Sequence, residues 1–192
     1  MSTTEIKVGG LGGQGVILAA MIIGRGTSIY DTKHTTLTQS FGPEARGSAC
    51  SASIVVSDEP VEYPYVATPD ILVVMSQEAY NRFAPEMASD GILLYDSDFV
   101  EIKGLPGSVR RFGVPATRIA EELRRRMVAN IVMVGSFAAL TDLVGVDALR
   151  ASVKASVPPG TEDLNLEAFE NGYTFGLDLK ASKTPATANA RS

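Results

Sequence analysis

Three glycines near the start of the chain have the spacing of a phosphate-binding turn. In "IKVGGLGGQGVILAA", Gly10, Gly12 and Gly15 match G-x-G-x-x-G between an apolar strand pattern and a helical pattern. Glycine permits a tight turn and lets an anion approach backbone N–H groups at the start of a helix. The loop is compatible with a dinucleotide, another phosphate-bearing ligand, a partner subunit, or close strand-to-helix packing without any ligand.

A dinucleotide site needs one more feature, an acidic residue about 20 positions further on that holds the ribose at the end of the second strand. Asp31 has about this separation, but it precedes the second predicted strand instead of following it. No Lys-Ser/Thr pair follows Gly15, as a P-loop would require. The fingerprint is therefore incomplete. Gln14 leaves two interpretations open, because its side chain can cap N–H groups at the helix start or point outward to a partner.

A second glycine-containing loop carries one charge of each sign. The segment "QSFGPEARGSA" places Glu44 and Arg46 among Gly42, Pro43 and Gly47. Arginine offers a planar fork that suits a carboxylate or a phosphate. The alternative is an internal ion pair between Glu44 and Arg46 that braces the loop.

Strand and helix patterns alternate along most of the chain. Strand patterns occur in "EIKV", "KHTTLTQ", "CSASIVVS", "DILVVMS", "DGILLYDS" and "VRRFGVPA". Helical patterns occur in "GVILAAMIIGRGTSI", "QEAYNRFAPEM", "ATRIAEELRRRM", "ANIVMVGSFAALTDLVG", "VDALRASVKASV" and "TEDLNLEAFENGYTFGLDL". This order predicts an α/β domain with a mainly parallel sheet, in which "DILVVMS" is a central strand. We expect one domain over residues 1–179 and a flexible polar tail over 180–192.

Composition excludes several classes of protein. The chain has 192 residues, 45% of them hydrophobic, and a net charge of −5, which argues against nucleic-acid binding. It has no apolar run long enough to span a membrane and begins without a signal-peptide pattern, so we expect a cytoplasmic protein. With Cys50 and His34 as its single cysteine and histidine, it cannot build a typical zinc site or an iron–sulfur cluster. We expect Cys50 to be a buried filler and His34 to be structural or interfacial.

The two loops together resemble a known family. "GGLGGQG" followed by "QSFGPEARGSACSASIVVSDEPVEYP" is similar to the gamma subunit of the 2-oxoacid:ferredoxin oxidoreductases. "ANIVMVGSFAAL" and "NLEAFENGY" are similar to the C-terminal part of that subunit, so the resemblance extends from about Ile6 to Leu179. The wording "QSFGPEARG" resembles the 2-oxoglutarate type more than the pyruvate or branched-chain types.

The resemblance implies a Rossmann-like three-layer domain and a share in a larger enzyme. These enzymes oxidatively decarboxylate a 2-oxoacid with coenzyme A, giving an acyl-CoA, carbon dioxide and reduced ferredoxin. The complex uses thiamine diphosphate, Mg²⁺ and iron–sulfur clusters. Its other parts are alpha and thiamine-binding beta subunits and, in some members, a ferredoxin-like delta subunit. The thiamine signature, Gly-Asp-Gly with a later Asn, is absent from this chain. We therefore expect no catalytic residue, metal site or bound cofactor in this chain alone.

The resemblance also implies roles for the two loops. The N–H groups of Gly12, Gly13 and Gln14 would face the shared cleft and hold a phosphate of coenzyme A. In the second loop, Arg46 would hold a coenzyme phosphate or a substrate carboxylate, and Glu44 would position Arg46 or contact a partner. The expected ligand-binding residues are Gly10, Gly12, Gly13, Gln14, Gly15, Gly42, Pro43, Glu44, Arg46 and Gly47. Three alternatives remain: another 2-oxoacid such as pyruvate, a stand-alone nucleotide-binding protein, and a purely structural subunit.

Overall fold

Within residues 3–41 and 49–183, which the computed structural model describes, six strands form one sheet. The strands are β1 (Thr3–Leu11), β2 (His34–Ser40), β3 (Ala49–Ser57), β4 (Ile71–Val74), β5 (Ile92–Asp96) and β6 (Arg110–Val114). The helices are α1 (Val16–Arg25), α2 (Gln77–Phe83), α3 (Ala116–Glu122), α4 (Ala129–Thr141), α5 (Val146–Ser156) and α6 (Glu162–Lys183). Short π- or 3₁₀-helical segments cover Gly26–Tyr30, Ala84–Glu86 and Arg126–Val128.

The strand order across the sheet is β2-β3-β1-β4-β5-β6. The neighbours β1, β4, β5 and β6 pair in parallel, whereas β3 is antiparallel to both β1 and β2. β2 therefore points the same way as β1. All four residues of β4 are buried, as expected of a central parallel strand covered on both faces. The predicted α/β fold with a mainly parallel sheet and a helical C-terminal part is confirmed.

Helices cover the two faces of the sheet unequally. One face packs against α1 and α3 to α6 in a core that includes Ile6, Ile54 and Leu94. The opposite face packs against α2, where Leu72 and Leu93 surround Phe83. β1 and β4 lie side by side, but the helices that follow them go to opposite faces. The C-terminal ends of β1 and β4 therefore form a topological switch point, the usual ligand-binding position in such folds.

The two loops singled out in the sequence start at the same edge of the sheet. Leu11, at the end of β1, pairs with Ala49, and Ser40, at the end of β2, pairs with Ser51. The glycine loop after β1 and the connection between β2 and β3 therefore both extend from this edge. The connection itself, with Gly42, Pro43, Glu44, Arg46 and Gly47, lies outside the described residues.

The chain departs from two sequence expectations in its C-terminal half. α6 continues to Lys183, so residues 180–183, assigned to the tail, are helical; residues 184–192 lie outside the described part. The arginine-rich run was expected on one helix with "ATRIAEEL", but α3 ends at Glu122. None of the helices in the described ranges is long and apolar enough to cross a membrane.

The end of α3 has a physical cause that cannot be recognised from the sequence. Arg124 has φ +57°, the left-handed conformation usual for glycine after a helix. The N–H of Arg124 donates to the carbonyl of Glu121 at 2.8 Å, and that of Arg125 donates to Ala120 at 3.0 Å. These two bonds form a Schellman motif, which satisfies the last carbonyls and turns the chain out of the helix.

Replacing Arg124 by glycine should raise the free energy of unfolding by about 0.5–1 kcal/mol, because glycine adopts positive φ without a Cβ penalty. Chemical denaturation of the purified chain measures the change. Arg125 has φ −146°, so Arg125→Gly is the matched control and should lower stability through a more flexible unfolded chain. A loss of stability in Arg124→Gly would contradict the conformational argument.

Candidate functional site at the switch point

The glycine loop uses its glycines for different purposes. Gly13 has φ +94°, and a Cβ there would meet no atom within 4 Å, so this position borders open space. Gly15 has φ +74°, and its Cβ would lie 2.4 Å from Nδ2 of Asn130. A Cβ at Gly10 would lie 2.7 Å from Cγ2 of Val16. Gly10 and Gly15 are thus required for packing, and Gly13 leaves the loop surface accessible.

Gln14 is held within the chain through its side-chain amide. Oε1 accepts a hydrogen bond from the N–H of Leu11 at 2.7 Å, and Nε2 donates to the carbonyl of Met75 at 2.9 Å. Its own N–H donates to the carbonyl of Leu11 at 3.1 Å. Neither of the two interpretations left open describes this side chain, which binds the end of β1 and the residue after β4 and neither caps the start of α1 nor points outward. The Gln14 N–H is therefore occupied within the chain, and of the three amides expected to hold a phosphate those of Gly12 and Gly13 remain.

The loop lies next to a helix N-terminus without a side-chain cap. Gly15 occupies the N-cap position of α1, and no side chain accepts a hydrogen bond there. The first-turn N–H groups of a helix carry partial positive charge and have no partner within the helix. This end of α1 therefore favours an anion.

A crevice of about 310 Å³ opens between this loop and the ends of β4 and β5. Its lining contains loop, strand-end and helix residues: Gly13, Gln14, Met75, Phe99, Thr117, Arg126, Met127 and Ala129. At the rim, Arg126 places its guanidinium 5.4 Å from the centroid of the Phe99 ring. Phe99 is 42% exposed and Met127 is 90% exposed. The crevice thus combines an arginine, an uncapped helix terminus and an exposed apolar rim.

A buried carboxylate organises the wall opposite the glycine loop. Asp96, at the end of β5, is 1% exposed. It accepts hydrogen bonds from the Thr117 hydroxyl at 2.7 Å and from the N–H of Asp98 at 3.1 Å. Burial raises the pKa of Asp96, and the hydrogen bonds from Thr117 and Asp98 act in the opposite direction. Asp98 in turn accepts from the N–H of Arg118 at 2.9 Å, which ties the start of α3 to the end of β5.

Other residues considered from the sequence lie away from the crevice. Asp31 and His34 stand at the N-terminal end of β2, the edge opposite the glycine loop, so Asp31 is not placed to hold the ribose of a nucleotide on that loop. His34 is the exposed first residue of β2. Cys50 is buried in β3, as expected, and burial raises the pKa of its thiol. In the described part of the chain, no group of three or more His, Cys, Asp or Glu side chains could share a metal ion.

Sequence reasoning missed most of the crevice's second wall. Sequence patterns single out none of Phe99, Thr117 and Met127, and they include Arg126 only in the helical pattern "ATRIAEELRRRM". One signal was available, because Asp96 ends the buried strand pattern in "DGILLYDS" and polar side chains at the C-terminal ends of parallel strands tend to mark sites. Arg126 and Thr117 gave no such signal, since their approach to the loop depends on tertiary packing.

Comparison with known proteins identifies relatives along nearly the whole chain. The family model "Pyruvate ferredoxin/flavodoxin oxidoreductase" matches residues 5–175. The 2-oxoglutarate synthase subunit KorC of Methanocaldococcus jannaschii is 45% identical over 177 residues, covering 91% of this chain and 95% of the relative. The ketoisovalerate oxidoreductase subunit VorA of Methanothermobacter thermautotrophicus is 38% identical, but the match covers 36% of that longer protein.

A solved structure agrees with the fold. The gamma subunit of a keto/oxoacid ferredoxin oxidoreductase from Geobacter sulfurreducens superposes with a TM-score of 0.83 and 34% identity, covering 93% of this chain and 99% of the other. The resemblance on the two loop motifs is therefore confirmed over most of the chain.

Proposed function

This chain belongs to the pyruvate ferredoxin/flavodoxin oxidoreductase family as a gamma-type subunit, and from that premise we propose that it serves a complex that oxidises 2-oxoglutarate with coenzyme A. The products would be succinyl-CoA, carbon dioxide and reduced ferredoxin. The substrate assignment is supported by the 45% identity to a 2-oxoglutarate synthase subunit, against 38% to the ketoisovalerate relative.

The observation that carries a role in binding coenzyme A is the crevice at the switch point. Coenzyme A has phosphates and a flat adenine ring, and the crevice offers a cation and an exposed aromatic side chain at its rim. The Gly12 and Gly13 amides and the start of α1 would take a phosphate on the other side. Arg46 and Glu44 keep their proposed roles on the neighbouring loop.

The thiamine-dependent and electron-transfer steps of the reaction would take place on other subunits. This chain's donor set does not fit an iron–sulfur cluster, because Cys50 is its single cysteine and is buried. It also lacks the thiamine signature with its magnesium site. The proposed partners are an alpha subunit, a thiamine-binding beta subunit and a ferredoxin-like delta subunit, with ferredoxin as electron acceptor. This chain's share would be to bind and orient the coenzyme at the edge of the common active site.

Arg126→Ala in the assembled complex tests this role. Loss of a charge-assisted hydrogen bond to phosphate should raise KM for coenzyme A about tenfold to a hundredfold, since such a bond contributes about 1.5–3 kcal/mol. KM for 2-oxoglutarate should change little, because the removed interaction would be with the coenzyme. The assay is anoxic reduction of a viologen dye, run also with pyruvate and a branched-chain 2-oxoacid to examine the substrate assignment.

Arg110→Ala is the matched control. Arg110 is the first residue of β6 and lies at the N-terminal ends of the parallel strands, away from the crevice. This substitution removes the same charge without touching the crevice and should leave both KM values unchanged. If Arg126→Ala and Arg46→Ala both behaved like Arg110→Ala, the chain would be a purely structural subunit. A tightly bound dinucleotide on the isolated chain would instead favour the stand-alone alternative.

A further inference from the structure

The crevice has two walls, and hydrogen bonds within the chain hold each wall in place without a ligand. The glycine loop is fastened to the end of β4 by Gln14, whose amide bridges the N–H of Leu11 and the carbonyl of Met75. The opposite wall is fastened by Asp96, which is bonded to the Thr117 hydroxyl and to the N–H of Asp98. A site that binds a phosphate with backbone amides depends on where those amides are held.

We infer that Gln14 and Asp96 are positioning residues. Each holds one wall of the crevice, and together they fix the distance between the walls that the coenzyme requires. This inference rests on the proposed function. It assigns Gln14 a different role from direct contact with the ligand, because both ends of its amide are occupied within the chain.

The bond to Met75 joins elements that otherwise diverge. β1 leads into α1 on one face of the sheet, and β4 leads into α2 on the other. The loop after β1 has two residues with positive φ, Gly13 and Gly15, and glycine has access to many other conformations. Without Gln14, the part of the loop that carries the Gly12 and Gly13 amides would keep few fixed contacts to β4.

The Asp96 network acts on the opposite wall in a similar way. Thr117 lines the crevice, and its hydroxyl is directed to a carboxylate that is 1% exposed. The carbonyl of Asp96 also accepts from the N–H groups of Phe99 at 3.1 Å and Val100 at 2.9 Å. Asp96 therefore contacts both the residue at the crevice rim, Phe99, and the residue on its wall, Thr117.

Gln14→Glu in the assembled complex is the decisive variant, because its effect should depend on pH. An ionised carboxylate can accept from Leu11 but cannot donate to the Met75 carbonyl, whereas a protonated carboxyl can do both. We expect KM for coenzyme A to rise about tenfold at pH 8, with kcat within about twofold of the wild type, as loss of ligand positioning predicts. The adjacent Met75 carbonyl and partial burial should raise the pKa of the introduced carboxyl above its ordinary value of about 4.3. The ratio of variant to wild-type KM should therefore fall as pH is lowered from 8 towards 5.5.

Gln77→Glu is the matched control. The Gln77 side-chain amide also both accepts and donates. It accepts from the N–H of Glu101 at 2.7 Å and donates to the carbonyl of Glu101 at 3.2 Å. Gln77 is absent from the lining of the crevice. The same chemical change there should leave the KM for coenzyme A at the wild-type value at every pH.

Asp96→Asn and Asp96→Ala examine the other wall. In Asp96→Asn, the amide oxygen can accept from the N–H of Asp98, and the NH₂ group can donate to the Thr117 hydroxyl. KM for coenzyme A should therefore stay near the wild-type value. Alanine removes both contacts and should raise KM for coenzyme A about fivefold or more, with little change in kcat. If Asp96→Ala prevents assembly, Thr117→Val tests the arrangement in its place, because valine removes the hydroxyl that donates to Asp96 and nearly keeps the side-chain shape. It should also raise KM for coenzyme A, and a wild-type KM would contradict the positioning role of this bond.

Amide hydrogen exchange gives a readout without coenzyme. Residues 10–16 should exchange faster in the Gln14→Glu complex than in the wild type at pH 8. If Arg126→Ala raises KM but Gln14→Glu changes neither KM nor exchange, the positioning inference is overturned while the proposed function stands. If Arg126→Ala changes nothing but exchange in Gln14→Glu is faster, the coenzyme site fails and the structural brace remains.

Discussion

Gly172→Ala should unfold the C-terminal half of this protein or lower its free energy of unfolding by at least about 3 kcal/mol, the upper part of the range for overpacked cores. α4 and α6 cross where Gly172 faces the backbone of Val132, and an added Cβ would lie 2.0 Å from the Val132 carbonyl oxygen. Gly135 meets the carbonyl oxygen of Phe169 at the same distance. Backbone atoms on both sides cannot rotate away as a side chain would.

The effect should extend beyond the two helices. Every residue of α4 from Ala129 to Leu140 is buried, so separation of α6 would expose the helix that underlies one face of the sheet. The measurement is urea denaturation followed by circular dichroism, on the isolated chain if it folds alone and otherwise on the complex. We expect the Gly172→Ala chain to be recovered poorly or to unfold at a much lower urea concentration.

Gly24→Ala is the matched control because Gly24 also lies within a helix, α1. A Cβ there would meet one atom within 4 Å, Cγ2 of Thr35 at 3.7 Å, which is an ordinary contact. Alanine should stabilise this position by up to about 1 kcal/mol through its higher helix propensity and a less flexible unfolded chain. The same substitution is thus expected to have opposite signs at two helical glycines. Equal behaviour at both positions would contradict the crossing geometry as the cause.

Much of the fold was predictable because it depends on local patterns. The strand, glycine loop and helix from β1 to α1, and the buried strands β4 and β5, follow from apolar runs bounded by glycine and polar residues. The place of β3 between β2 and β1 does not follow from such patterns, because it is set by pairing between residues far apart in sequence. The end of α3 was missed for a related reason, since Arg124 adopts a backbone conformation that sequence rules expect of glycine.

The candidate site was half predictable. One wall is a motif contiguous in sequence, from Gly10 to Gly15, and the pattern identified it. The other wall brings together Phe99, which follows β5, and Thr117 and Arg126, which follow β6. These residues reach the loop only because β5 and β6 lie two and three places from β1 in the sheet. Gln14 shows a further limit, because the sequence could not distinguish an internal brace from an outward contact until the position of Met75 was known.

Gly15→Ala should damage the site and the stability of the chain together. The position has φ +74°, which disfavours alanine by about 1–2 kcal/mol. The new Cβ would also lie 2.4 Å from Nδ2 and 2.7 Å from Cγ of Asn130, a residue that is 3% exposed. Asn130 donates from Nδ2 to the carbonyl of Gly15 at 3.2 Å, so relief of the clash breaks this contact. A total loss of about 2–5 kcal/mol follows from the conformational and packing terms.

A double-mutant cycle with Asn130→Ala separates the two causes. Asn130→Ala alone should destabilise the chain, because the partly buried Gly15 carbonyl loses one of its two donors and keeps only the N–H of Ala19. In the double variant the amide atoms that clash are gone, so the combined loss should fall short of the sum by about 1–2 kcal/mol. Gly13→Ala supplies the comparison without a clash, since φ is +94° there and no atom lies within 4 Å of the added Cβ. The loss of stability in Gly13→Ala should equal the conformational cost of positive φ alone, about 1–2 kcal/mol.

In the assembled complex, the same variants connect packing to binding. Gly15→Ala displaces the start of α1 and the loop before it, so KM for coenzyme A should rise, and removal of the Asn130 amide should restore part of the affinity. An affinity that recovers together with stability would mean that Gly15 serves the site by letting α1 approach α4 closely. If stability recovered and affinity did not, the left-handed backbone at Gly15 would itself be the requirement, because it aims the first amides of α1 at the crevice.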